Sequence, residues 1–493
     1  MLKVLKGRLV QKVANTSRKL WEPYTIENPP GVQVIVSAYN CAPMLPRFLQ
    51  SLERAMRGFR WVFLAADDGS ADETYAVLKA YVKTQCTADE HKLQRFKKAA
   101  NVSVAKNRVV RMGFPYREKY PAIALCDADD EVGEQRISGL LEIALREGSL
   151  SLAGDFLRER GGERILHKAA ALTYGPPMTL FHEALLPWDG TLFDETFHNH
   201  GDWAQQAEWR SRGIFTRLVD GLITNIHVYH PLSVSNNLTE TQITRRAEKL
   251  EGFKAQLEKR KLISFCTTCM GRLHHLKQTL LANMEVCRDM PDVEFCLVNY
   301  NSQDGMDAWV KTELGEQLKS GRLRYVHTMK PKQFKMGVAK NMAHVLGTGM
   351  FLVNVDADNF LTPEYVQALR SEIAAGGEVI HFPSDDRAWG GGFGRVAVRA
   401  DLFRAVGGYD EEHSGWGAED WDLVQRAQRM SRRALRLLDP HVLSYIDHDD
   451  EERLKHMDVK NKHANNKRWH KYFIARLERG ELVVNKGKQI GVI

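Results

Sequence analysis

Apolar runs of strand length alternate along this chain with stretches of helical spacing. Residues 32–38 and 61–64 are apolar runs, and residues 45–56 between them carry apolar side chains at helical spacing. Residues 122–126 form a third run, after a stretch of helical pattern that includes 104–107. Strands that alternate with helices predict an α/β domain with a mostly parallel sheet and helices on both faces.

Acidic residues stand where these predicted strands end. Asp67 and Asp68 follow the second run, the segment 127–129 (Asp-Ala-Asp) follows the third, and 356–358 (Asp-Ala-Asp) follows an apolar run at 351–353. Parallel sheets bind ligands at the carboxyl ends of their strands. Two carboxylates there would suit a divalent cation and the phosphates it carries. A plain turn and helix cap is the alternative interpretation of the Asp67–Ser70 stretch.

The second half of the chain repeats these features in the same order. Val-Ala-Lys-Asn occurs at 104–107 and again at 338–341, and segment 67–72 is matched by 299–304. A single matched segment is weak evidence for a repeat, but a series of matched segments in the same order predicts duplicated domains. The predicted organisation is a basic segment (1–30), a first domain (31–238), a charged helical linker (239–260) and a second domain with a basic C-terminal extension (261–493).

The stretch 415–422, Gly-Trp-Gly-Ala-Glu-Asp-Trp-Asp, concentrates three carboxylates and two indoles. The apolar pattern after Trp421 predicts that a helix begins here. Two indoles beside an acid would form a flat apolar wall next to a potential base, as a sugar site needs. An ordinary helix start is the alternative, because negative charge is favoured at a helix N-terminus.

The order of these motifs resembles that of a known family. A strand ending in Asp-x-Asp, followed by Gly-Gly-Tyr-Asp-Glu (407–411) and by 415–422, resembles family 2 nucleotide-sugar glycosyltransferases with the GT-A fold. The last stretch also resembles the galactosyltransferase version of the motif. The tandem arrangement resembles bifunctional bacterial polymerases of the chondroitin or hyaluronan type.

The resemblance implies two tandem GT-A domains that move sugars from nucleotide-sugar donors to acceptor hydroxyls, with inversion at the anomeric carbon. It implies Mn²⁺ or Mg²⁺ as the metal, a UDP-sugar as the expected donor and a glycan as the acceptor. The metal would neutralise the diphosphate leaving group, and a base would take the proton of the acceptor hydroxyl.

The resemblance also assigns residues. In the second domain, Asp420 is the expected base, Glu419 a contact to acceptor hydroxyls, and Trp416 and Trp421 the stacking walls. The donor and metal residues expected there are Asn299, Asn301, Lys340 (near the diphosphate), Asp356, Asp358 and His448. In the first domain, Asp202 is the expected base. Its donor and metal residues are expected to be Asp67, Asp68, Lys106, Asp127, Asp129 and His230.

Family 2 enzymes often complete the metal site with a late histidine, and several candidates are present. His230 follows Asp202 at the separation at which His448 follows Asp420. This favours these two over His227, His441 and His456. A histidine with a purely structural role remains the alternative.

Each domain departs from the family pattern in a different place. Gly201 and Ala204 stand in the first domain where the second has Glu419 and Asp422. In the second domain, Asn299 and Tyr300 stand where the first has Asp67 and Asp68. Either both domains are active with different donors and acceptors, or the first is a weakened copy that binds without turnover. We expect two active sites.

Composition narrows the cellular setting. The chain has 493 residues, a formal charge of +7 and seven cysteines scattered through apolar segments, which suggests reduced thiols. No long apolar run is present. We expect a cytoplasmic protein with peripheral contact at the inner face of a membrane through residues 1–20, unless that segment packs on the body.

The basic C-terminal stretch around 460–472 leaves an alternative function open. Interleaved aromatic residues are compatible with a glycosyltransferase that acts on hydroxymethylated bases of viral DNA. A solvated amphipathic helix is the more ordinary interpretation. A non-catalytic glycan-binding protein is the least expected function, because it would not need two sets of metal acids and a base.

Overall fold

The structure is a computed structural model that describes residues 17–168, 179–197, 201–229, 239–382, 394–459 and 461–492. The chain divides into two compact units. Unit 1 is Met1–Leu257 with Ala374–Gly376, and unit 2 is Glu258–Ile373 with Gly377–Ile493.

Unit 1 is built on one large sheet. Its strands are β1 (Val32–Ala38), β2 (Trp61–Asp67), β3 (Glu90–Arg95), β4 (Ala122–Asp127), β5 (Glu131–Val132), β6 (Ser151–Arg160), β7 (Glu163–His167), β8 (Leu180–His182) and β9 (Arg217–Val228). Its helices are α1 (Leu45–Ala55), α2 (Thr74–Thr84), α3 (Val102–Met112), α4 (Arg136–Glu147), α5 (Gly201–Ser211) and α6 (Glu240–Lys259), the last of which crosses the division. The described strand order is β3-β2-β1-β4-β8-β6-β9-β5, with β7 on β6.

Unit 2 has a second sheet. Its strands are β10 (Ile263–Cys269), β11 (Val293–Tyr300), β12 (Leu323–Thr328), β13 (Phe351–Asn354), β14 (Asn359–Phe360), β15 (Val379–His381), β16 (Ala397–Arg399), β17 (Arg436–Leu437) and β18 (Ser444–Tyr445). Its helices are α7 (Leu273–Val286), α8 (Met306–Glu313), α9 (Gly315–Lys319), α10 (Met336–Leu346), α11 (Pro363–Ala374), α12 (Ala400–Ala405), α13 (Glu419–Ser431), α14 (Asp450–Leu454) and α15 (Lys462–Glu478). The order is β12-β11-β10-β13-β16-β15-β17, and β14 pairs separately with β18.

The first four strands of each sheet have the same arrangement. In unit 1, β1 lies parallel between β2 and β4, and β3 runs parallel to β2. In unit 2, β10 lies parallel between β11 and β13, and β12 runs parallel to β11. Every residue of β2, β10 and β11 is buried. Burial on both faces explains why these strands are continuous apolar runs rather than alternating ones.

The repeated Val-Ala-Lys-Asn tetrapeptide has the same structural role twice. Asn107 donates from Nδ2 to the carbonyl oxygen of Phe193 (2.8 Å) and accepts from the Phe193 amide (2.9 Å). Asn341 makes the same pair of bonds with Tyr409, at 2.9 and 2.8 Å. Each asparagine therefore joins its helix, α3 or α10, to the segment that precedes the acid motif. Both side chains are fully buried, so these bonds satisfy amides that water cannot reach.

No helix in the described ranges is both long enough and apolar enough to cross a bilayer. The predicted membrane-contact segment lies almost wholly outside the described residues, which begin at Ser17.

Candidate active sites

Unit 2 contains a cavity of about 610 Å³ at the carboxyl ends of β10 and β13. That volume falls in the range of small-molecule sites. It brings together most of the residues expected from the sequence: Lys340, Asp356, Asp358, Trp416, Glu419, Asp420, Trp421 and His448 all line it. Asn299 and Asn301 are not among the residues that line it.

The ammonium group of Lys340 is buried beside this cavity, between two carboxylates. Lys340 Nζ lies 2.7 and 2.8 Å from the two oxygens of Asp420 and 2.9 Å from Glu419 Oε1. All three residues are less than 10 % exposed. Lys340 was expected to approach a diphosphate, but in the structure its ammonium group binds the expected base Asp420. One buried cation thus holds two acids in place.

Burial and the nearby Glu419 carboxylate raise the pKa of Asp420, and the Lys340 ammonium group opposes that rise. Burial acts to lower the pKa of Lys340, but the negative charges of Asp420 and Glu419 together have the larger effect. The pKa of Lys340 is therefore well above its ordinary value. Lys340 therefore stays protonated. Glu419 Oε2 is buried and has no hydrogen-bond partner among the described residues.

The loop before α13 depends on its glycines. Gly415 and Gly417 have φ values of +90° and +93°, which favour residues without a Cβ. A Cβ on Gly417 would stand 2.6 Å from Asn466 Oδ1. Glycine is therefore required both by backbone conformation and by the close approach of α15, and it lets the two indoles flank the start of α13.

Helix α15 forms a wall of the cavity. Trp469 Nε1 donates to the carbonyl oxygen of Ser414 (2.8 Å), and Asn465 Nδ2 donates to that of Trp416 (2.9 Å). The His470 ring lies 4.9 Å from that of Trp421, edge to face. The sequence left this stretch open as a DNA-binding surface or an amphipathic helix. The structure supports the second interpretation, because the aromatic face of α15 packs on the glycine loop.

Asp358 and His448 face each other across a short gap. His448 Nε2 lies 2.7 Å from Asp358 Oδ2, and Arg272 Nη1 lies 3.3 Å from that same oxygen. Burial acts to raise the pKa of Asp358, but the contacts with His448 and Arg272 hold it below its ordinary value. A converging carboxylate and imidazole fit a divalent cation such as Mn²⁺. Asp356 lines the same cavity and accepts a bond from Asn354 Nδ2 (3.0 Å).

The other candidate histidines of unit 2 have different positions. His441 is largely exposed and pairs with Asp439 at 3.1 Å, and it does not line the cavity. His456 does line it, but its Nε2 lies where a Cβ on Gly271 would come within 2.0 Å, so its ring packs on the backbone there.

The two asparagines expected at the nucleotide end have internal partners. Asn299 Oδ1 accepts from the amide of Ser302 (2.8 Å), and its Nδ2 donates to the Tyr325 hydroxyl (3.1 Å). Asn301 Nδ2 donates to the carbonyl oxygen of Pro331 (2.6 Å). Both residues shape the loop after β11.

In unit 1 the corresponding loop is charged. Asp67 Oδ1 accepts from the amide of Ser70 (3.0 Å), as Asn299 does from Ser302, and its Oδ2 lies 3.1 Å from Arg95 Nε. Asp68 pairs with Arg108 at 2.5 Å. The loop geometry is thus shared by the two units, while its charge is not.

The corresponding lysine of unit 1, Lys106, is partly buried and has another partner. Lys106 Nζ lies 2.8 Å from Asp127 Oδ1. Asp202, at the start of α5, influences Lys106 electrostatically. Burial raises the pKa of Asp202 to about 6, although Lys106 opposes the rise.

A second acid–histidine pair lies close to Asp129. His227 Nδ1 is 2.8 Å from Asp130 Oδ1, and Asp130 is 2 % exposed. Burial raises the pKa of Asp130 to about 6, and the bond to Asp130 raises that of His227. The expected metal ligand His230 lies outside the described residues. Asp130 was not singled out from the sequence, although it follows the Asp-Ala-Asp motif directly.

Two models of glycosyltransferase families match parts of this chain. The model of glycosyl transferase family 2 matches residues 33–202, and that of the N-terminal domain of galactosyltransferase matches residues 377–448. The chain is a nucleotide-sugar glycosyltransferase. The second match spans the 415–422 motif and His448, so the galactosyltransferase-like character expected for this stretch is confirmed.

Solved structures that are similar to the glycosyltransferase share little sequence with it. TarS of S. aureus (residues 1–349, with UDP) is 13 % identical, over 70 % of this chain and 89 % of that one, with a TM-score of 0.36. Another structure of S. aureus TarS is 14 % identical, with a TM-score of 0.34. The match covers 46 % of this chain and 42 % of the TarS chain in that structure. The mannosyltransferase PcManGT of Pyrobaculum calidifontis, with GDP-Man and Mn²⁺, is 13 % identical over 47 % and 68 %, with a TM-score of 0.34.

A search of curated proteins finds no match to the glycosyltransferase. The predicted fold class, α/β with mostly parallel GT-A-type sheets, is confirmed by the strand pairing and by the family match in unit 1.

Several residues that line the cavity were not predicted from the sequence, among them Arg272, Glu452 and His470. None lies in a motif that the two halves share, so the repeat could not reveal them.

Proposed function

We propose that unit 2 transfers a sugar from a UDP-sugar to a hydroxyl group of a glycan acceptor. One observation carries this proposal: a single cavity is lined by the Asp358–His448 pair and by the buried acid Asp420 beside two indoles. A metal–diphosphate site and a base for the acceptor are the two parts that the reaction requires.

Asp358 and His448 would hold the divalent metal, with Asp356 beside them at the strand end. When bound, the metal supplies positive charge that stabilises the diphosphate leaving group. Trp416 and Trp421 offer flat apolar faces on which sugar rings stack, so they orient the donor and acceptor and exclude water.

Asp420 takes the proton from the acceptor hydroxyl as its oxygen bonds to the anomeric carbon. The bond from that carbon to the diphosphate oxygen breaks in the same step, and its electron pair leaves with the diphosphate. Attack opposite to the leaving group inverts the anomeric carbon. The raised pKa of Asp420 makes it a stronger base than an exposed aspartate.

Glu419 supports the acceptor side. Its Oε1 is bonded to Lys340, whereas its buried Oε2 has no partner among the described residues. A buried carboxylate oxygen without a donor is costly. An acceptor hydroxyl would satisfy it, so Glu419 is suited to orient the acceptor next to Asp420.

We further propose that unit 1 is a second transferase with a different donor, so that the chain builds a polysaccharide or glycolipid glycan of alternating sugars. The grouping of Asp127, Lys106 and Asp202 supports this proposal. Asp202 would serve as its base, with a pKa raised by burial as that of Asp420 is.

A donor screen tests both proposals. Purified protein with Mn²⁺ is offered a panel of UDP-, GDP- and dTDP-sugars, and nucleotide release is measured for the wild type, Asp358→Ala and Asp129→Ala. Release of two sugars, each lost in one variant, is the expected result. Release of one sugar that is lost only in Asp358→Ala would contradict the second activity and leave the first. Release that both variants retain would contradict both proposals.

A further inference from the structure

Two histidines and a glutamate converge at the edge of the unit 2 cavity, next to the proposed donor site. His274 and His275 lie in the first turn of α7, and Glu452 lies in α14. Glu452 Oε1 is 2.9 Å from His274 Nε2 and 3.6 Å from His275 Nε2. One ligand atom from each residue lies within 4.8 Å of the other two. A single carboxylate oxygen thus faces two imidazole nitrogens.

Hydrogen bonding alone leaves this cluster incomplete. His274 is close enough to Glu452 for a hydrogen bond, but 3.6 Å is too long for one from His275. His275 is 4 % exposed, and its Nδ1 has no partner among the described residues. A buried imidazole with no good hydrogen bond is unfavourable. A cation between His275 Nε2 and Glu452 Oε1 would give this nitrogen a ligand bond in place of the missing hydrogen bond.

The spacing of the ligand atoms suits a tetrahedral ion. Zinc–ligand bonds of about 2.0–2.2 Å place two ligands of a tetrahedron roughly 3.4 Å apart. The two distances from Glu452 Oε1, 2.9 and 3.6 Å, lie on either side of this value. The His274 side chain is 59 % exposed, so its surroundings leave it room to move toward His275.

We propose that His274, His275 and Glu452 form a second metal site, of the zinc class, distinct from the donor site. Two imidazoles with one carboxylate favour Zn²⁺ over Mg²⁺ or Mn²⁺, which prefer oxygen ligands. A solvent molecule would complete the tetrahedron on the side of exposed His274.

The position of this zinc site gives it a role in the reaction of unit 2. The His275 ring stacks on that of His448, with ring centres 5.5 Å apart. Arg272, which contacts Asp358, also donates to the backbone oxygen of Glu452 (3.2 Å). The ion would fix α14 on α7 and so hold His448 in place, as outer-shell groups commonly do for metal ligands.

Zinc content tests the site without reference to activity. The whole chain is stripped with EDTA, loaded with Zn²⁺, dialysed against excess Mg²⁺ and analysed for metal per chain. The wild type is expected to retain one zinc more than His274→Ala. The exposed His441→Ala is the matched control and should retain the wild-type amount. Asp358→Asn should also retain it, because that change affects only the proposed donor site.

Thermal stability and visible absorption provide two further tests of the zinc site. Zn²⁺ should raise the Tm of the wild type more than that of His274→Ala, and Co²⁺ should give the visible absorption of a tetrahedral complex in the wild type but not in His274→Ala. Glu452→Gln should behave as His274→Ala does, and it replaces that variant if the latter fails to fold. Equal zinc in the wild type and both variants would overturn the proposal. So would zinc that is lost from Asp358→Asn but kept in His274→Ala.

Discussion

Units 1 and 2 keep the same scaffold around Lys106 and Lys340 but give these two lysines different partners. Asn107 and Asn341 bind equivalent segments through equivalent bonds. One residue earlier, Lys106 pairs with Asp127 at the end of a strand, whereas Lys340 pairs with Glu419 and Asp420 at the start of a helix. The two units therefore share this part of the backbone architecture but differ in the arrangement of charge.

The reason lies in the residue before the expected base. Unit 2 has Glu419 next to Asp420, and two buried carboxylates need a cation close by. Unit 1 has Gly201 next to Asp202, so only one carboxylate is present at that position. Its lysine is then available to pair with Asp127. A change in one neighbouring residue is thus accompanied by a different ion-pair partner for the lysine.

The loops after β2 and β11 show the same principle. Asp67 and Asn299 each accept from a serine amide three residues later. Only Asp67 adds an ion pair, with Arg95, while Asn299 binds the neutral Tyr325 hydroxyl. The loop conformation needs an oxygen acceptor, which both side chains supply, and the charge is free to vary.

The largest expected effect comes from Asp420→Asn. It removes the proposed base while keeping the side-chain shape, so sugar transfer by unit 2 should fall by roughly 10²–10⁴-fold. The rate is measured as nucleotide release in the presence of acceptor. Glu412→Gln, at an exposed position in the same unit, should keep the wild-type rate. Equal rates in Asp420→Asn and the wild type would rule out Asp420 as the base.

Lys340→Met should have the next largest effect. Two buried carboxylates would lose their cation, which should destabilise unit 2 by about 3–5 kcal/mol. The pKa of Asp420 would rise further without the Lys340 ammonium group, so the pH of half-maximal transfer should move upward. Denaturant unfolding and a pH–rate profile measure the two effects. Lys486→Met, at an exposed position, should change neither, and an unshifted profile in Lys340→Met would show that Lys340 does not control Asp420.

Asn107→Ala and Asn341→Ala test the shared scaffold. Each variant leaves a buried amide and carbonyl without partners, which should cost about 1–3 kcal/mol of unfolding free energy. Chemical denaturation should give losses of similar size in the two variants. The exposed Asn28→Ala provides a reference with no expected loss. A large loss in one variant alone would mean that the two asparagines are not equivalent.

The smallest effect concerns pH and Asp202. With a pKa raised to about 6, Asp202 is about nine-tenths ionised at pH 7 by ordinary titration. Transfer by unit 1 should change little above pH 7 and fall as the pH drops through 6, because a protonated carboxyl cannot act as a base. Asp130 titrates in the same range, so Asp130→Asn serves as the control and should retain this fall. A pH profile without a step near 6 would contradict a basic role for Asp202.

The sequence anticipated features that rest on local pattern or on the repeat. Apolar runs and helical spacing predicted the parallel core strands, and the two resembled families both match the chain. Equal separations from the acid motifs singled out His448, which lies 2.7 Å from Asp358. Asp356 and Asp358 were expected at a strand end, and they follow β13 directly.

Contacts between residues that are distant in the sequence were not predicted. Lys340 was expected near a phosphate, yet its contact with Asp420 joins positions that are far apart in the sequence. Arg272, Glu452 and His470 belong to no shared motif, and only packing brings them to the cavity. The adjacent pair His274-His275 was visible in the sequence, but its partner Glu452 was not.

The sequence by itself determined the α/β class, the ordered repeat and the glycosyltransferase chemistry, because strand burial, turn residues and short acid motifs are local properties of the chain. Tertiary structure alone decided which acid Lys106 and Lys340 each pair with, which helix forms a wall of the cavity and which groups surround His448. Burial makes an unpaired charge costly, and the partner that a buried charge takes depends on which distant segments the fold brings together.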